Sequence, residues 1–528
     1  MTTLLLNGRI HSPSHPDASA MAVRDGVVSW LGSDAVGRVQ YPEAEVVDLG
    51  GAFVAPAFVD SHIHLTSTGL QITGLDLSTA SGPEHCLRLL ADHLAAHPGR
   101  PVWGHGWDDT TWPGAPSTAD LDAVALGTPV YLSRVDVHSA LASSALRDRV
   151  SGLTAVSGYQ PDGPLTAEAH HLVRAQARAL LTVSQRDQAR RAALDAAAAH
   201  GVVAVHECAG PDIGGLEDWH ELRAVNHGVE VIGYWGEAVS TAAQARALID
   251  ATGARGLAGD LFIDGALGSR TAWLNEPYAD ARNCCGNRYL DAGTVFEHLA
   301  ACTDAGVTAG FHVIGDAAVT LVVEALGRIV ERFGAPAVAR CGHRLEHLEM
   351  VSAEQSAALG AWGVTASMQP NFDALWGGPD GMYARRLGAD RAAGLNPFAA
   401  LASAGAPLAF GSDSPVTALD PWTWVRAAGH HQTPGSAISV RAAFAAATRG
   451  GWRAGGVRDG ISGTLVPGAP ASYAVWETGD LDVSAPADQV QRWSTDPRSR
   501  VPELPRLDPG EALPHCRQTV HRGVVLYG

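Results

Sequence analysis

Short apolar runs that end in polar residues recur along the chain. Runs of this kind, about four to eight residues long, are typical of buried strands. The candidate strands are residues 53–63, 202–206, 229–235, 259–263, 308–312, 343–347, 363–368 and 407–412. Stretches rich in Ala, Leu and Arg lie between them and predict helices, for example at 184–200, 292–305, 317–332 and 353–361. Eight strands alternating with helices predict an α/β fold, a (β/α)8 TIM barrel.

The segment between the first two predicted strands, about 66–200, is several times longer than an ordinary strand–helix connection. We therefore predict a cap insertion after strand 1. Trp107, Asp108, Arg134 and His138 lie in it, and their mixture of aromatic and polar groups suits the wall of a small-molecule pocket. A packed corner is the alternative for the tryptophan.

Histidines and an aspartate follow several of the predicted strands. His62 and His64 are alternate residues of one strand and therefore share a face. His312, His347 and Asp413 each follow another apolar run. Because functional groups of a TIM barrel collect at the C-terminal ends of its strands, we expect these five side chains to converge. Imidazole and carboxylate groups in one cluster indicate a site for zinc or another divalent metal.

Several longer motifs identify a resemblance to a known family. They are Asp60-Ser-His-Ile-His64, Gly310-Phe-His-Val-Ile-Gly-Asp316, Arg344-Leu-Glu-His347, Ser367-Met-Gln-Pro370, Phe410-Gly-Ser-Asp-Ser-Pro-Val416, Gly106-Trp-Asp-Asp109, Arg134-Val-Asp-Val-His138 and Asp264-Gly-Ala-Leu-Gly-Ser-Arg-Thr-Ala272. With these motifs the chain resembles the metal-dependent amidohydrolase superfamily, and within it the amidohydrolase 3 group of YtcJ-like proteins and N-substituted formamide deformylases. The resemblance spans nearly the whole chain. It implies a TIM barrel, bound metal and a further substrate-binding residue at Gln369.

The resemblance also implies a composite domain built from both chain ends. Residues 1–54 and 457–528 would form a small β-sandwich, and residues 55–456 would form the barrel domain. Hairpin signals at Asn7-Gly8 and Asp25-Gly26 agree with strands near the N-terminus. The expected C-terminal strands are 463–468, 471–476 and 519–527, with 478–516 as a surface excursion rich in Pro and Asp.

All 37 basic residues are arginine, so the chain contains no lysine. Many superfamily members bridge two metal ions with a carboxylated lysine on the fourth strand. The segment that resembles their lysine motif is Asp260-Leu-Phe-Ile-Asp264-Gly265, so Asp260 stands at the lysine position here. An aspartate carboxylate would fall about 4–5 Å short of the carboxylated lysine on an unchanged backbone. Asp260 is therefore a candidate metal ligand, direct or through water, or else a hydrogen-bonded remnant or a partner for a ligating histidine.

The number of metal ions remains open between one and two. A single ion, as in adenosine and cytosine deaminase-like enzymes, would use His62, His64, His312 and Asp413 and leave His347 for catalysis. With two ions, His62, His64 and Asp413 would hold the inner one and His312 and His347 the outer one, with Asp260 or hydroxide between them. The missing lysine slightly favours one ion. His206-Glu207 after the second strand could add a ligand, although a structural pair is the expectation.

The resemblance implies a hydrolase of carbon–nitrogen bonds other than peptide bonds, acting on a small linear amide or N-formyl compound. Metal-activated water would attack, with Asp413 as the proton shuttle and His347 as a second catalytic residue. A mononuclear deaminase and a degenerate barrel that only binds a ligand are the alternatives. Retention of all four histidines and Asp413 favours an enzyme.

Composition narrows the setting. A net charge of −18 argues against nucleic acid as a partner. The chain shows no long uncharged apolar run, so neither a membrane partner nor export is expected and the predicted location is cytoplasmic. The seven cysteines are scattered along the chain and include no metal-type CxxC pair, so a disulfide framework is not expected. A homodimer is compatible with the resemblance, because barrels of this superfamily commonly pair.

Overall fold

An eight-stranded parallel barrel forms the centre of the molecule. The computed structural model describes residues 2–482 and 502–528. The barrel strands, in order, are Phe58–Ile63, Val202–Ala209, Glu230–Trp235, Gly256–Leu257, Thr308–Val313, Arg344–His347, Thr365–Met368 and Leu408–Phe410. Each strand pairs with the next in chain order, and a parallel bridge between Ile63 and Ser414 joins the first strand to the segment after the eighth. The predicted TIM barrel is confirmed.

Helices surround the barrel and follow its strands. Their bounds are Val183–Ala199, Gly215–Arg223, Ala242–Thr252, Ala292–Ala305, Asp316–Phe333, Ala335–Cys341, Ala353–Trp362, Pro370–Trp376, Met382–Leu387, Ala389–Ala392, Phe398–Ser403, Pro421–Gly429, Val440–Ala445 and Gly451–Ala454. Local sequence explains several of these limits. Thr182 and Ser352 begin two of the helices with capping boxes, and glycines in the left-handed conformation end others, for example Gly306 after Ala305.

Two predictions of barrel strands need correction. The run 53–63 forms two strands, because Phe53–Pro56 joins a terminal sheet while Phe58–Ile63 enters the barrel. The fourth barrel strand is Gly256–Leu257, not 259–263. Gly259 has a φ of +78°, so the backbone leaves the regular strand there. Its pairing with the fifth strand resumes beyond this bend, where Ile263 N donates to His312 O at 3.1 Å.

Both chain ends contribute to two smaller sheets. One contains Val27–Gly32, Ala20–Arg24, Thr2–Leu6 and Glu45–Asp48, and the other contains Arg9–Ile10, Phe53–Pro56, Tyr473–Glu477, His515–His521 and Val524–Tyr527. A shared hydrophobic cluster that includes Leu5, Val28, Val54 and Val475 packs them together. The chain at 463–468 forms turns, so the strand predicted there is wrong. The predicted domain limits stay a prediction, and about half of the 478–516 excursion, residues 483–501, lies outside the described residues.

Residues between the first two barrel strands build a separate layer, here called the cap. Its sheet contains Leu75–Asp76, Val102–Trp107, Val130–Arg134, Ser139–Ala142 and Leu165–Thr166. Its helices are Leu65–Thr73, Pro83–Ala96, Thr118–Ala125, Ser144–Arg147 and Ala167–Ala179. Helix Leu65–Thr73 packs closely on Val183–Ala199, because Gly69 lies against the backbone of Ala189.

The remaining elements are short: helix Asp34–Gln40 beside the N-terminal sheet, a strand pair formed by Leu481–Asp482 and Leu504–Pro505, and helical turns at Leu153–Ala155, Pro434–Ser436 and Ala446–Gly450. Within residues 2–482 and 502–528, no helix combines the length and the apolar content needed to cross a bilayer.

Candidate metal centre

The first barrel strand delivers two imidazoles to the C-terminal mouth of the barrel. His62 is the next to last residue of Phe58–Ile63 and His64 follows the strand. Both side chains are buried, and the Nε2 atoms of both point towards the carboxylate of Asp413, at 3.4 Å from His62 and 3.3 Å from His64. The predicted convergence of the histidine pair with Asp413 is therefore present in the structure.

Asp413 is held in place by the chain around it. Its backbone N–H donates to His62 O at 2.7 Å, and its φ is +53°, an uncommon value for a residue with a side chain. The preceding residue, Ser412, donates its N–H to buried Asp60 at 2.9 Å. Burial raises the pKa of Asp60 to about 7, against the opposing effect of hydrogen bonds from Ser412 and His62. The loop after the eighth strand is thus tied to the first strand beside the histidines.

Asp260 lies at the centre of the cluster. Its Oδ2 is 3.1 Å from His64 Nε2, and its Oδ1 is 3.4 Å from His62 Nε2. The same Oδ1 is 3.6 Å from His312 Nδ1 and 3.9 Å from His347 Nε2. The expected shortfall of 4–5 Å assumed an unchanged backbone. The backbone bends at Gly259, next to Asp260, and one carboxylate here faces four imidazoles.

These side chains suit a metal ion. Five buried atoms have no hydrogen-bond partner within the described part of the chain: His62 Nε2, His312 Nδ1, His347 Nε2, Asp260 Oδ1 and Asp413 Oδ1. Buried polar atoms are normally satisfied, so five unsatisfied atoms in one cluster indicate a missing ligand. Two ligands of a tetrahedral ion at about 2.1 Å lie roughly 3.4 Å apart, close to the separations observed here. His62 with His64 and Asp413, and His62 with Asp260 and His347, are grouped tightly enough for such an ion.

The charges within the cluster support the same conclusion. Burial would lower the pKa of His64 and of His347, but the neighbouring carboxylates Asp260 and Asp413 raise these pKa values to about 10 and about 9. Without a metal the two acids thus hold protons on the histidines. A divalent ion bound there would displace those protons.

A second layer of buried groups orients two of the histidines. His62 Nδ1 donates to Glu346 at 2.9 Å, which leaves its Nε2 lone pair facing the cluster. Glu346 in turn accepts hydrogen bonds from Arg344 at 2.5 and 2.8 Å. Burial would raise the pKa of Glu346, but Arg344 and His62 hold it below its usual range. His347 Nδ1 similarly donates to Gln369 Oε1 at 2.8 Å. Gln369, which the resemblance assigns to substrate binding, thus lies where it orients the ring of His347.

His206 and Glu207 serve the structure. His206 Nδ1 accepts from Arg344 at 2.9 Å, and Glu207 accepts from the backbone N–H of Leu65 at 2.7 Å. Glu346 is not singled out by the sequence, although it belongs to the motif Arg344-Leu-Glu-His347. The available signal is the spacing of Glu346 two residues after Arg344, which places both side chains on the same face of the strand.

A cavity with a free interior of about 30 Å³ adjoins the cluster beneath the cap. Its wall includes His64, Asp260, His138, His171 and Arg174. His138 thus lies where the sequence predicts it. His171 and Arg174 were missed, because helix Ala167–Ala179 reads as a polar surface helix.

The other predicted cap residues lie elsewhere. Trp107 is 1% exposed, donates Nε1–H to Leu132 O at 2.8 Å and packs in the apolar core of the cap, which corrects its assignment to a pocket wall. Arg134 forms ion pairs with Asp108, Asp109 and Asp136 at 2.5, 3.0 and 2.9 Å. Neither Arg134 nor Asp108 lines the cavity, and their mutual pairing satisfies the charges that suggested binding.

Comparison with known proteins places the chain in a family. The profile of the amidohydrolase family matches residues 45–527. Protein LONG AFTER FAR-RED 3 of Arabidopsis thaliana is 28% identical, with 91% of this chain and 89% of that protein covered. Putative amidohydrolase YtcJ of Bacillus subtilis is 28% identical over 78% of this chain and 79% of its own length. An uncharacterized metal-dependent hydrolase from Pyrococcus furiosus has a similar structure, with a TM-score of 0.68, 26% identity, and coverage of 90% of this chain and 98% of that one. The chain belongs to the amidohydrolase family and is a metal-dependent hydrolase.

Proposed function

We propose that the protein hydrolyses carbon–nitrogen bonds other than peptide bonds in a small linear amide or N-formyl compound, with two divalent ions that share Asp260. The resemblance to the amidohydrolase 3 group supports the type of bond. The position of Asp260 supports the number of ions.

The observation that carries the two-ion proposal is the placement of a single carboxylate among four histidines. Asp260 Oδ2 faces His64 at 3.1 Å, while its Oδ1 faces His312 at 3.6 Å and His347 at 3.9 Å. In this arrangement His62, His64 and Asp413 would hold one ion, and His312 and His347 would hold the other. Asp260 would contribute to both, the role that the carboxylated lysine has in many relatives.

Bound divalent ions supply Lewis acidity at the substrate carbonyl and lower the pKa of water so that hydroxide is available near neutral pH. Asp413 takes a proton from the attacking water and returns it to the departing nitrogen, so that the amine leaves neutral. The water oxygen joins the carbonyl carbon as the C–N bond breaks, and the products are a carboxylic acid and an amine. Glu346 and Gln369 fix the ring orientations of His62 and His347 throughout.

The shape of the cavity supports a small acyl group. The free interior beside the cluster is small, about 30 Å³. A formyl group, the smallest acyl group, requires the least displacement of the surrounding side chains. This is the reason for preferring an N-formyl compound within the wider class of linear amides.

The first test is metal content. Protein stripped with a chelator and reconstituted with zinc should bind two ions per chain by elemental analysis. Asp260→Asn should bind about one. Asp316→Asn is the matched control, because Asp316 follows the same strand as His312 but accepts hydrogen bonds from Asn275. One ion in the unaltered protein would contradict the shared carboxylate and favour a mononuclear deaminase.

The second test separates the reactions. The reconstituted protein is incubated with a panel of N-formyl amines and of amino-substituted heterocycles, and formate, amine and ammonia are measured. Formate with an equal amount of amine supports the proposal, while ammonia alone supports a deaminase. No product from either panel, together with no bound metal, would support a barrel that only binds a ligand. Asp413→Asn should abolish any product without preventing folding.

A further inference from the structure

The cavity wall carries a buried positive charge that the proposed reaction does not use. Arg174, on cap helix Ala167–Ala179, is 8% exposed and lines the cavity together with Asp260 and His171. Its Nη2 donates to the backbone carbonyl of Asp212 at 2.6 Å. Its Nε is buried and has no hydrogen-bond partner. Among residues 2–482 and 502–528, Arg174 forms no ion pair with a carboxylate.

Several other buried arginines pair with carboxylates, although Arg147 donates to backbone carbonyls and Arg178 donates to Ser67 Oγ at 3.4 Å. Arg134 contacts three carboxylates, Arg190 contacts Asp218 and Glu221, and Arg344 contacts Glu346. This pattern follows from physics, because a buried charge without a partner is strongly unfavourable. Arg174 differs from Arg178 in bordering the cavity beside the metal cluster, where a substrate can supply the missing partner.

The cavity wall around Arg174 contains one acidic residue, Asp260. Of the cavity-lining residues outside the proposed metal ligands, Arg174 is the one that carries a permanent charge. Burial, and then Arg174 itself, lowers the pKa of His171 to about 3, so this ring is neutral near pH 7. Burial also lowers the pKa of His138 well below its usual value. Asp260 is the acidic group of the wall, and its charge would be compensated by the metal ions it holds.

We propose that Arg174 binds a carboxylate of the substrate, so that the substrates are N-formyl or short N-acyl amino acids rather than uncharged amides. This inference rests on the proposed hydrolase function and narrows its substrate class. A carboxylate matches the planar guanidinium and can satisfy the free Nε–H. The amide carbon of such a compound is separated from its carboxylate by only two atoms, the nitrogen and the α-carbon. Both groups can therefore lie within one small cavity, one at Arg174 and one at the metal cluster.

The experiment compares matched pairs that differ only by the carboxylate. N-formyl derivatives of alanine, leucine and phenylalanine are set against N-formyl ethylamine, isopentylamine and phenethylamine. With zinc-loaded protein, we expect kcat/KM to be higher for at least one amino acid derivative than for its partner by roughly 30-fold or more. Arg174→Gln should remove this preference and change the rates for the uncharged compounds only slightly. Arg174→Lys should keep part of it.

Arg178→Gln is the matched control. Arg178 lies one turn along the same helix, is also 8% exposed with an unpaired Nε, and is outside the cavity wall. This control should leave the preference intact. Arg174→Gln removes a buried, unpaired charge, so its melting temperature should not fall below that of the unaltered protein. An equal loss for charged and uncharged compounds would assign Arg174 a structural role and overturn the proposal.

Binding to metal-free protein separates this inference from the hydrolase function. Calorimetric titration with the same compounds should show binding of the carboxylates that Arg174→Gln abolishes. Hydrolysis of the uncharged amines without any carboxylate preference would overturn the carboxylate subsite and retain the hydrolase. Arg174-dependent binding of carboxylates without hydrolysis by the zinc-loaded protein would retain the subsite and overturn the proposed reaction. No binding of any carboxylate would overturn the subsite.

Discussion

The pairing of Glu346 with Arg344 and His62 allows stability and metal binding to be separated by one pair of substitutions. Glu346→Gln keeps the shape of the side chain but removes its charge. Glu346 and Arg344 are each 0% exposed, so the substitution leaves a fully buried guanidinium without its carboxylate. Breaking a buried ion pair on one side costs about 3–5 kcal/mol. We therefore expect a large loss of stability in the metal-free protein.

Metal affinity should change for a different reason. Glu346 accepts the Nδ1 proton of His62 at 2.9 Å and thereby directs Nε2 towards Asp260 and Asp413. Loss of such an orienting carboxylate lowers metal affinity by roughly 10–100-fold. The double substitution Glu346→Gln with Arg344→Gln removes both buried charges. It should recover part of the stability but none of the metal affinity.

Both quantities are measured on the same proteins. The midpoint of urea denaturation of metal-free protein reports stability, and zinc competition with a chelating dye reports affinity. Stability and affinity that fall and recover together in the double variant would refute the reasoning, since a single structural disturbance would then explain both. Unchanged zinc affinity in Glu346→Gln would refute the orienting role directly.

Three further predictions concern the fold. Burial lowers the pKa of His298 to about 4 and that of His343 to about 3, so both rings are neutral in the folded protein. Because these folded pKa values lie below the unfolded value near 6.5, the contribution of the two neutral rings to stability is complete above pH 6.5. It is lost as the pH falls, by about 1.4 kcal/mol per pH unit for each ring. The difference between melting temperatures at pH 7 and pH 5 should therefore be smaller for His343→Asn than for the unaltered protein. Trp107→Phe removes the hydrogen bond to Leu132 and should lower the urea midpoint by the equivalent of about 1 kcal/mol. It should leave kcat/KM unchanged, and a raised KM would show instead that Trp107 contacts the substrate. A Cβ at Gly69 would lie 1.7 Å from Ala189 O, so Gly69→Ala should separate the cap helix from the barrel at a cost of about 1–3 kcal/mol, whereas Gly114→Ala, which meets nothing within 4 Å, serves as the control in the same melting assay.

Much of the barrel could be predicted because its strands are buried on both faces and read as continuous apolar runs. The helices at 292–305 and 353–361 agree with their predicted limits to within one residue for a local reason, since Asp291 and Ser352 cap their first turns. The fourth strand was misplaced because the bend at Gly259 is a backbone conformation that apolar periodicity does not report.

The site was predictable where one residue type has one dominant use, as for His62, His64 and Asp413. It was not predictable where a side chain's role depends on its neighbours across the fold. Arg134 and Arg174 are both cap arginines, but three carboxylates satisfy Arg134 and none satisfies Arg174 within the described chain. The reach of Asp260 likewise depended on where the backbone places its Cα, which the sequence does not state.

The aspartate at position 260 has a consequence for how the site is assembled. A carboxylated lysine forms only after its amine has reacted with dissolved carbon dioxide, so sites built on it depend on the supply of that gas. Asp260 carries its carboxylate as soon as the chain is synthesised, and no lysine is present elsewhere to take the modification. In the proposed two-ion centre, assembly would therefore require the metal and the folded barrel alone, and it would proceed equally well in a medium from which carbon dioxide has been removed.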